Sequence, residues 1–387
     1  SAKTSNKPMQ LSFWEKETYF SNIDVLIIGS GIVGLNAALH LKQAQPKLKI
    51  LVAERGLLPT GASSKNAGFA CFGSPSELLE DLANHTEEQV FGLVERRWRG
   101  LQRLRQNLGD TVIDYNRWGG YELFTDAQHE LYTSCLDKLP YLNKHLQSIT
   151  GEPDVFRKAD DKIRDFGFKK VAHLLLSTAE GQIDTGKMIL ALTQKAQALG
   201  VLVLNGLEVQ NLHEEGPGVT AITTQGIPIQ AKAALVATNG FAQKLLPHVQ
   251  VTPARAQVLI TKPIQNLRLK GTFHYDCGYY YFRNIGNRVL FGGGRNLDFK
   301  AEETTTLGLT ALVQQKLEEL LKTVILPDTA YEVEHRWSGI MGLGNQKTTI
   351  VEQVSESISC AVRMGGMGVA IGSLVGEEGA ELILRRL

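Results

Sequence analysis

The chain has 387 residues with 41 Lys and Arg against 40 Asp and Glu, and this formal net charge of +1 excludes the cationic excess of a nucleic-acid binder. Its 43% apolar and 21% charged residues exclude disorder and fibres, and the length suits about two domains of roughly 150 residues with large cores. Glycine is the outlier: 38 residues are about 10% of the chain against a usual 7% or so, beside only 12 prolines.

Residues 24–28 are a β-branched, apolar run ending at Gly29, and 31–45 follow at helical spacing until Pro46, which reads as strand, tight turn, helix. Residues 48–53 form a second buried strand ending at Glu54, which closes a β-α-β unit and predicts a parallel sheet. From 76 to 147 the pattern is mostly helical. Val94, Trp98, Leu101, Leu104 and Leu108 recur on one face there, and Arg96, Arg99 and Arg103 fall between them as a solvated or paired face beside Glu95 and Asp110. An amphipathic helix over 185–199 leads into a strand at 201–204, and 234–238 is a further buried strand ending at Asn239 and Gly240. Residues 251–291 turn strand-rich and aromatic, with strands at 257–261, 279–282 and 288–291, and predict a second, largely antiparallel sheet. A helix over 307–323 precedes a half-buried strand at 331–337 whose apolar face carries Tyr331, Val333, His335 and Trp337, so His335 reads as structural. No repeat or long linker separates these regions, and a nucleotide domain interleaved with a second domain fits them.

Cys71, Cys135, Cys277 and Cys360 lie far apart with no C-x-x-C and no histidine pair at ligand spacing, so neither a disulfide scaffold nor a metal site is expected. The polar first ten residues run into Glu15, Lys16 and Glu17 without an apolar signal core, and the apolar stretch 365–376 stops at Glu377 and Glu378. A cytoplasmic location without a transmembrane segment is expected.

Gly29-Ser30-Gly31-Ile32-Val33-Gly34 is a G-x-G-x-x-G pattern lying between a strand and a helix, with Glu54 about 20 residues beyond its last glycine. The glycines serve the turn, close approach to a pyrophosphate and closure of helix on strand, and the helix end supplies the positive potential without a lysine. Glu54 argues for an unphosphorylated ribose, with Arg55 beside it as the only sign to the contrary. NAD and FAD share this unit. A second small-residue loop at 61–68 can lie along an extended cofactor through Ala62, Ser63, Ser64, Lys65, Asn66, Ala67 and Gly68, and a third at Gly365-Gly366-Met367-Gly368 opens a helix that can stabilise negative charge on a reduced flavin ring. Both favour FAD.

From Asp24 to the C-terminus the chain resembles the D-amino acid oxidase superfamily of flavoenzymes, which includes glycine oxidase and monomeric sarcosine oxidase. The resemblance rests on 24–34, Glu54, 61–68, Glu180-Gly181-Gln182-Ile183-Asp184, Ala237-Thr238-Asn239-Gly240 and 365–368. Tyr281-Phe282-Arg283, the run 288–294 and the run 336–344 look most like the gamma-glutamylputrescine oxidase branch. The resemblance implies a Rossmann-like FAD domain of the glutathione-reductase type (21–90, 177–250 and 335–387), in an α/β plus α+β chain, interleaved with a substrate domain on a mainly antiparallel sheet (91–176 and 251–334). Val209, Thr238, Asn239, Gly240 and Gly339 join the loop residues as expected FAD neighbours.

Amino-acid-specific members carry a carboxylate-clamping arginine where this chain has Met341, so the substrate is expected to be an amine unless Arg283, Arg295 or Arg336 supplies the clamp. Neither Cys277 nor Cys360 matches the flavin-tethering cysteine of sarcosine oxidases, which implies non-covalent FAD. Tyr281, Arg283, Arg336 and Met341 are therefore the substrate-pocket candidates, with Tyr279 and Tyr280 as aromatic neighbours. The expected partners are a small amine or amino acid and oxygen or another electron acceptor. An amino-acid oxidase or dehydrogenase, a non-catalytic flavoprotein and an NAD-only dehydrogenase are the competing readings.

Overall fold

The computed structural model describes residues 9–387. They form two compact units: one contains the chain up to Ser64 with Thr185–Pro253 and Met341–Leu387, the other Lys65–Asp184 with Ala254–Ile340.

In the first unit an eight-stranded sheet runs in the order Ile350–Gln353, Ile358–Val362, Pro228–Val236, Ile23–Ile28, Ile50–Glu54, Leu202–Asn205, with Val219–Thr223 and Val209–His213 added beside Pro228–Val236. From Ile358–Val362 to Leu202–Asn205 every pairing is parallel. All five residues of Ile50–Glu54 are buried, as a strand covered on both faces must be, and Leu26, Ile28, Leu51, Val236 and Val362 belong to one core. The helices Ile32–Ala44 and Gly368–Leu384 pack almost backbone to backbone. A Cβ added at Gly376 would lie 2.6 Å from the Val33 carbonyl oxygen, and one at Gly372 2.7 Å from Ile32 Cγ2.

The second unit holds another eight-stranded sheet, ordered Val333–Leu343, Thr252–Thr261, Arg288–Gly293, Tyr280–Ile285, Thr272–Tyr275, Gly120–Phe124, His173–Ser177, Phe156–Lys158. From Thr252–Thr261 to Phe156–Lys158 its pairings are antiparallel except that Thr272–Tyr275 joins Gly120–Phe124 in parallel. One face is an aromatic core in which the rings of Phe273 and Phe282 stack at 4.7 Å and Phe291 meets Phe282 edge-on at 5.8 Å. A further core joins the helices Pro75–Asn84, Glu87–Leu108 and His129–Thr150 through Leu78, Val94, Leu139 and Leu142.

Three expectations are corrected. The stretch 76–147 is interrupted by the strand Gly120–Phe124, all of it buried, including Glu122, which accepts hydrogen bonds from the Ser76 amide at 3.0 Å and from the Ser76 hydroxyl. Only five residues long and buried on both faces, that strand has no period-2 polar–apolar alternation to be recognised by. The helix expected from 307 starts at Ala311, because Thr310 caps it and is itself held through its amide by Gln257 Oε1 at 3.0 Å. His335 is exposed and stacks on Trp337 instead of facing the core. Among the described residues no helix is long and apolar enough to cross a membrane.

Candidate cofactor and substrate sites

The first glycine loop joins the strand Ile23–Ile28 to the helix Ile32–Ala44. Gly29 has φ +106°, and a Cβ there would sit 2.6 Å from the Ala237 carbonyl oxygen, so both backbone conformation and the neighbouring strand end demand glycine. Gly34 turns its bare Cα onto the Gly29 carbonyl, which brings the helix down on the turn. The first helical bond runs from Leu35 N to Gly31 O at 3.0 Å, leaving the amides of Ile32, Val33 and Gly34 ahead of it. Ser63 Oγ accepts from Ile32 N at 2.8 Å, so the second glycine loop touches the helix end through its serine.

Glu54 is buried at the tip of the adjacent strand. Its Oε1 accepts from Ser30 Oγ at 2.9 Å and Ser30 N at 3.4 Å, and Oε2 accepts from Gly56 N at 2.8 Å. The carboxylate therefore fixes the glycine turn from the side while keeping lone pairs for further donors. Arg55 points elsewhere, its guanidinium lying 4.1 Å over the Phe241 ring. Thr238 Oγ1, beside the Gly29 turn, is buried without a hydrogen-bond partner. A helix end with amides to donate, a carboxylate for hydroxyls and an orphaned hydroxyl fit a dinucleotide.

Around this centre the other candidates have mixed roles. Val209 is a core residue at the start of its strand. Gly240 is buried in the turn Asn239–Lys244. Asn239, at φ +43°, accepts through Oδ1 from Arg363 N at 3.0 Å and Met364 N at 3.1 Å, and so holds the entry to the third glycine loop. Arg363 itself has φ +66°, with its guanidinium bound to Thr348 O at 2.7 Å and Gln250 O at 3.0 Å. Gly365 and Gly366 also have positive φ, Met367 precedes the helix that starts at Gly368, and the Met341 sulfur lies 3.5 Å from where a Gly366 Cβ would stand.

In the second unit, Trp337 Nε1 donates to Lys65 O at 2.9 Å, Gly339 abuts the Lys65 side chain, and Gly68 N donates to Asn66 Oδ1 at 2.9 Å. The Ala62–Ser64 turn preceding this segment is closed by Ser64 Oγ donating to Pro59 O. Arg283 is buried with Nη1 on Ile183 O at 2.6 Å and Ala67 O at 3.1 Å, and burial lowers its pKa to about 10. Arg336 is paired with Gln314 Oε1 at 2.7 Å and Glu318 Oε2 at 3.2 Å. Both arginines are committed to protein oxygens.

Tyr281 and Arg283 share the sheet face opposite the aromatic core, and His274 and Thr272 stand beside them in register. Tyr281 crosses Gly292 and meets the Phe69 ring edge-on at 5.7 Å. Burial pushes the Tyr281 phenol up to about 12, partly opposed by the charge of Arg295. His274 Nε2 contacts Glu180 Oε2 at 2.7 Å, and Thr272 Oγ1 donates to the same carboxylate. Burial alone would lower the His274 pKa, but Glu180, Glu77 and Glu122 raise it to about 9, while burial raises Glu122 to about 7 against the hydrogen bonds of Ser76. Sequence patterning missed this buried polar group, since partners at 76, 122, 180 and 274 meet only across strand register. Among the described residues no group of His, Cys, Asp or Glu could hold a metal ion.

The family described as DAO, FAD dependent oxidoreductase, matches residues 24–382. The chain is 29% identical over 244 residues to the bifunctional protein ThiO/ThiG of Synechocystis sp., a match covering 61% of this chain and 32% of that protein, so the chain spans about a third of that relative's length. It is 24% identical to gamma-glutamylputrescine oxidoreductase of Escherichia coli over 93% of this chain and 83% of that one. The structure of glycine oxidase from Bacillus cereus superposes with a TM-score of 0.75 at 18% identity, covering 95% of this chain and 96% of that one.

Proposed function

Because the chain belongs to the DAO family of FAD-dependent oxidoreductases, enzymes of amine and amino-acid oxidation, we propose that its substrate is an amine, of the gamma-glutamylputrescine kind, and not a free α-amino acid. One observation carries this reading: the position expected to clamp an α-carboxylate is Met341, whose thioether lies at the third glycine loop, while Arg283 and Arg336 are bound to protein oxygens and Arg295 lies against the Tyr279 and Phe299 rings. A thioether offers no hydrogen bond donor to a carboxylate.

In the proposed assignment residues 21–90, 177–250 and 335–387 form the FAD domain, and 91–176 and 251–334 the substrate domain. The amides of Val33 and Gly34 hold the diphosphate, Glu54 the ribose hydroxyls, and Thr238 Oγ1 gains the partner it lacks in the protein. With both late cysteines unmatched to a tether, FAD is bound non-covalently. The chemistry FAD supplies when bound is acceptance of a hydride from the carbon next to nitrogen, and the oxidised substrate then yields a carbonyl compound and an amine or ammonia in water. Tyr281 orients the substrate with its ring and a hydroxyl that stays protonated at neutral pH. Glu180 beside His274 favours its protonated form at neutral pH, so His274 is not the group that takes a proton from the substrate.

Anaerobic mixing of the yellow holoenzyme with alkylamines, diamines, N-acylated diamines and α-amino acids tests this. Amines lacking an α-carboxylate should bleach the flavin with kcat/KM above that of any α-amino acid. Preferential bleaching by α-amino acids would overturn the reading, and admission of air then separates oxidase from dehydrogenase.

A further inference from the structure

The two-stranded ribbon of Phe69–Ala70 and Gly181–Gln182 lies over the sheet of the second unit, on the face that carries Tyr281. Phe69 and Gln182 are paired directly in antiparallel register, so their side chains leave the ribbon on the same side. On that side the Phe69 ring meets His274 edge-on at 5.4 Å and Tyr281 at 5.7 Å, and the Gln182 amide reaches the backbone of the same sheet, Nε2 donating to Asn284 O at 3.3 Å. Arg283 ties the ribbon down where its strands leave, with Nη1 on Gly68 O at 3.4 Å and Ile183 O at 2.6 Å. All of these residues belong to one unit.

Gln182 is 3% exposed, and its Oε1 is buried without a hydrogen-bond partner. Asn284 O fixes which way the amide points, because that carbonyl can only accept and a reversed amide would set two acceptors against each other. The neighbouring polar side chains are engaged in the protein: Glu180 accepts from Thr272 Oγ1 and contacts His274 Nε2 at 2.7 Å, and Arg283 is bound to carbonyl oxygens. A buried acceptor left unpaired costs stability in the free protein and gains a hydrogen bond from any donor brought to it. That donor has to be an N–H or O–H, and an ionised carboxylate offers neither.

We propose that Gln182 binds the substrate through its amine nitrogen, Oε1 accepting one N–H on the Tyr281 face. This rests on the amine reading above and adds the protein group that holds the reacting nitrogen. One anchored N–H beside the Tyr281 ring limits rotation about the C–N bond to be oxidised, which is a contribution to orientation. It also gives a task to a side chain of the Glu180–Asp184 segment that the cofactor assignment leaves unused.

The test follows anaerobic flavin bleaching of the holoenzyme by a primary amine and by its N,N-dimethyl counterpart, so that Kd and the limiting rate are read separately. In the wild type the primary amine should bind about 5- to 10-fold more tightly, the worth of one buried hydrogen bond. Gln182→Met has nearly the same length but no amide oxygen, and it should weaken the primary amine by a similar factor and remove the difference between the two amines. Flavin content and Tm should hold in that variant, since Asn284 O keeps Arg283 Nε at 3.0 Å. Gln182→Glu retains an acceptor and should restore most of the affinity. Equal Kd for the two amines in the wild type, a comparison that needs no variant to fold, overturns the proposal while amine oxidation stands. So does a Gln182→Met holoenzyme in which Kd and the ratio are unchanged, and a lowered Tm there would assign the amide to the fold alone. If no amine bleaches the flavin, it is the underlying reading that fails.

Discussion

Asn239 carries more of the architecture than its place in the Ala237-Thr238-Asn239-Gly240 segment suggests. Its side-chain oxygen takes two amides, those of Arg363 and Met364, and so fixes a non-glycine residue at φ +66°, a conformation costing about 1–2 kcal/mol for an L-residue. Asn239→Ala should lose about 2 kcal/mol in denaturant unfolding and weaken FAD binding, whereas Asn239→Asp, which keeps the acceptor, should retain most of both. The sequence marks the segment as an expected cofactor neighbour, but the clamp is not legible there, because its partners lie more than 120 residues away. The buried ionisable groups make a second residue-scale prediction. His274 is raised to about 9 from an ordinary 6.5, so its contribution is complete below about pH 6.5 and is lost as pH rises through 9. Glu122, raised to about 7, likewise favours the fold at low pH and loses that advantage between about pH 4.5 and 7. Stability measured by denaturant unfolding should therefore fall as pH rises from 5 to 9.5. Glu122→Gln should flatten the part below pH 7 and, because Glu122 is the last of the three carboxylates that raise His274, move the upper part only a little below pH 9; an unchanged low-pH slope in that variant would refute the assignment.

Among the elements, the helix Gly368–Leu384 shows why glycine counts alone mislead. Gly365 and Gly366 serve the turn before it with positive φ, as the sequence led one to expect of a cofactor loop, whereas Gly372 and Gly376 serve packing against Ile32–Ala44. Both uses raise glycine content, and only the three-dimensional approach distinguishes them. A Cβ at Gly376 would meet backbone, the Val33 carbonyl, which cannot rotate away, so Gly376→Ala must push the helices apart. A loss of about 1–3 kcal/mol is expected from overpacking of this kind. Because Val33 lies in the first turn of the helix offered to the diphosphate, the same change should weaken FAD affinity, measured by flavin fluorescence on titration of apoprotein. Gly206→Ala, at a site open to solvent but with φ +74°, should affect stability without affecting FAD affinity.

Across the whole molecule, the strongest sequence signals were those in which one short segment states its own geometry: strand, G-x-G-x-x-G, helix and acidic strand end predicted the parallel sheet that the first unit contains. Pairings between distant segments were less legible. The parallel step from Thr272–Tyr275 to Gly120–Phe124 joins strands about 150 residues apart, and no local pattern announces it. The same long-range connectivity has a thermodynamic consequence. The chain passes between the two units at 64/65, 184/185, 253/254 and 340/341, and the residues proposed to hold FAD in the first unit come from all three of its segments. Ligand binding to the native state stabilises it by RT ln(1 + [L]/Kd), about 4 kcal/mol at a thousandfold excess over Kd. Removing FAD should thus lower Tm, and adding it back should raise Tm with the logarithm of its concentration. Glu54→Gln weakens acceptance from ribose hydroxyls, and it should reduce the affinity inferred from that dependence more than it lowers apoprotein Tm, because its one amide oxygen can still accept from Gly56 N while its amide nitrogen can donate to Ser30 Oγ. An equal downward shift of the apo and holo curves would instead assign Glu54 to holding the glycine turn alone, and the carboxylate's role toward the cofactor would be lost.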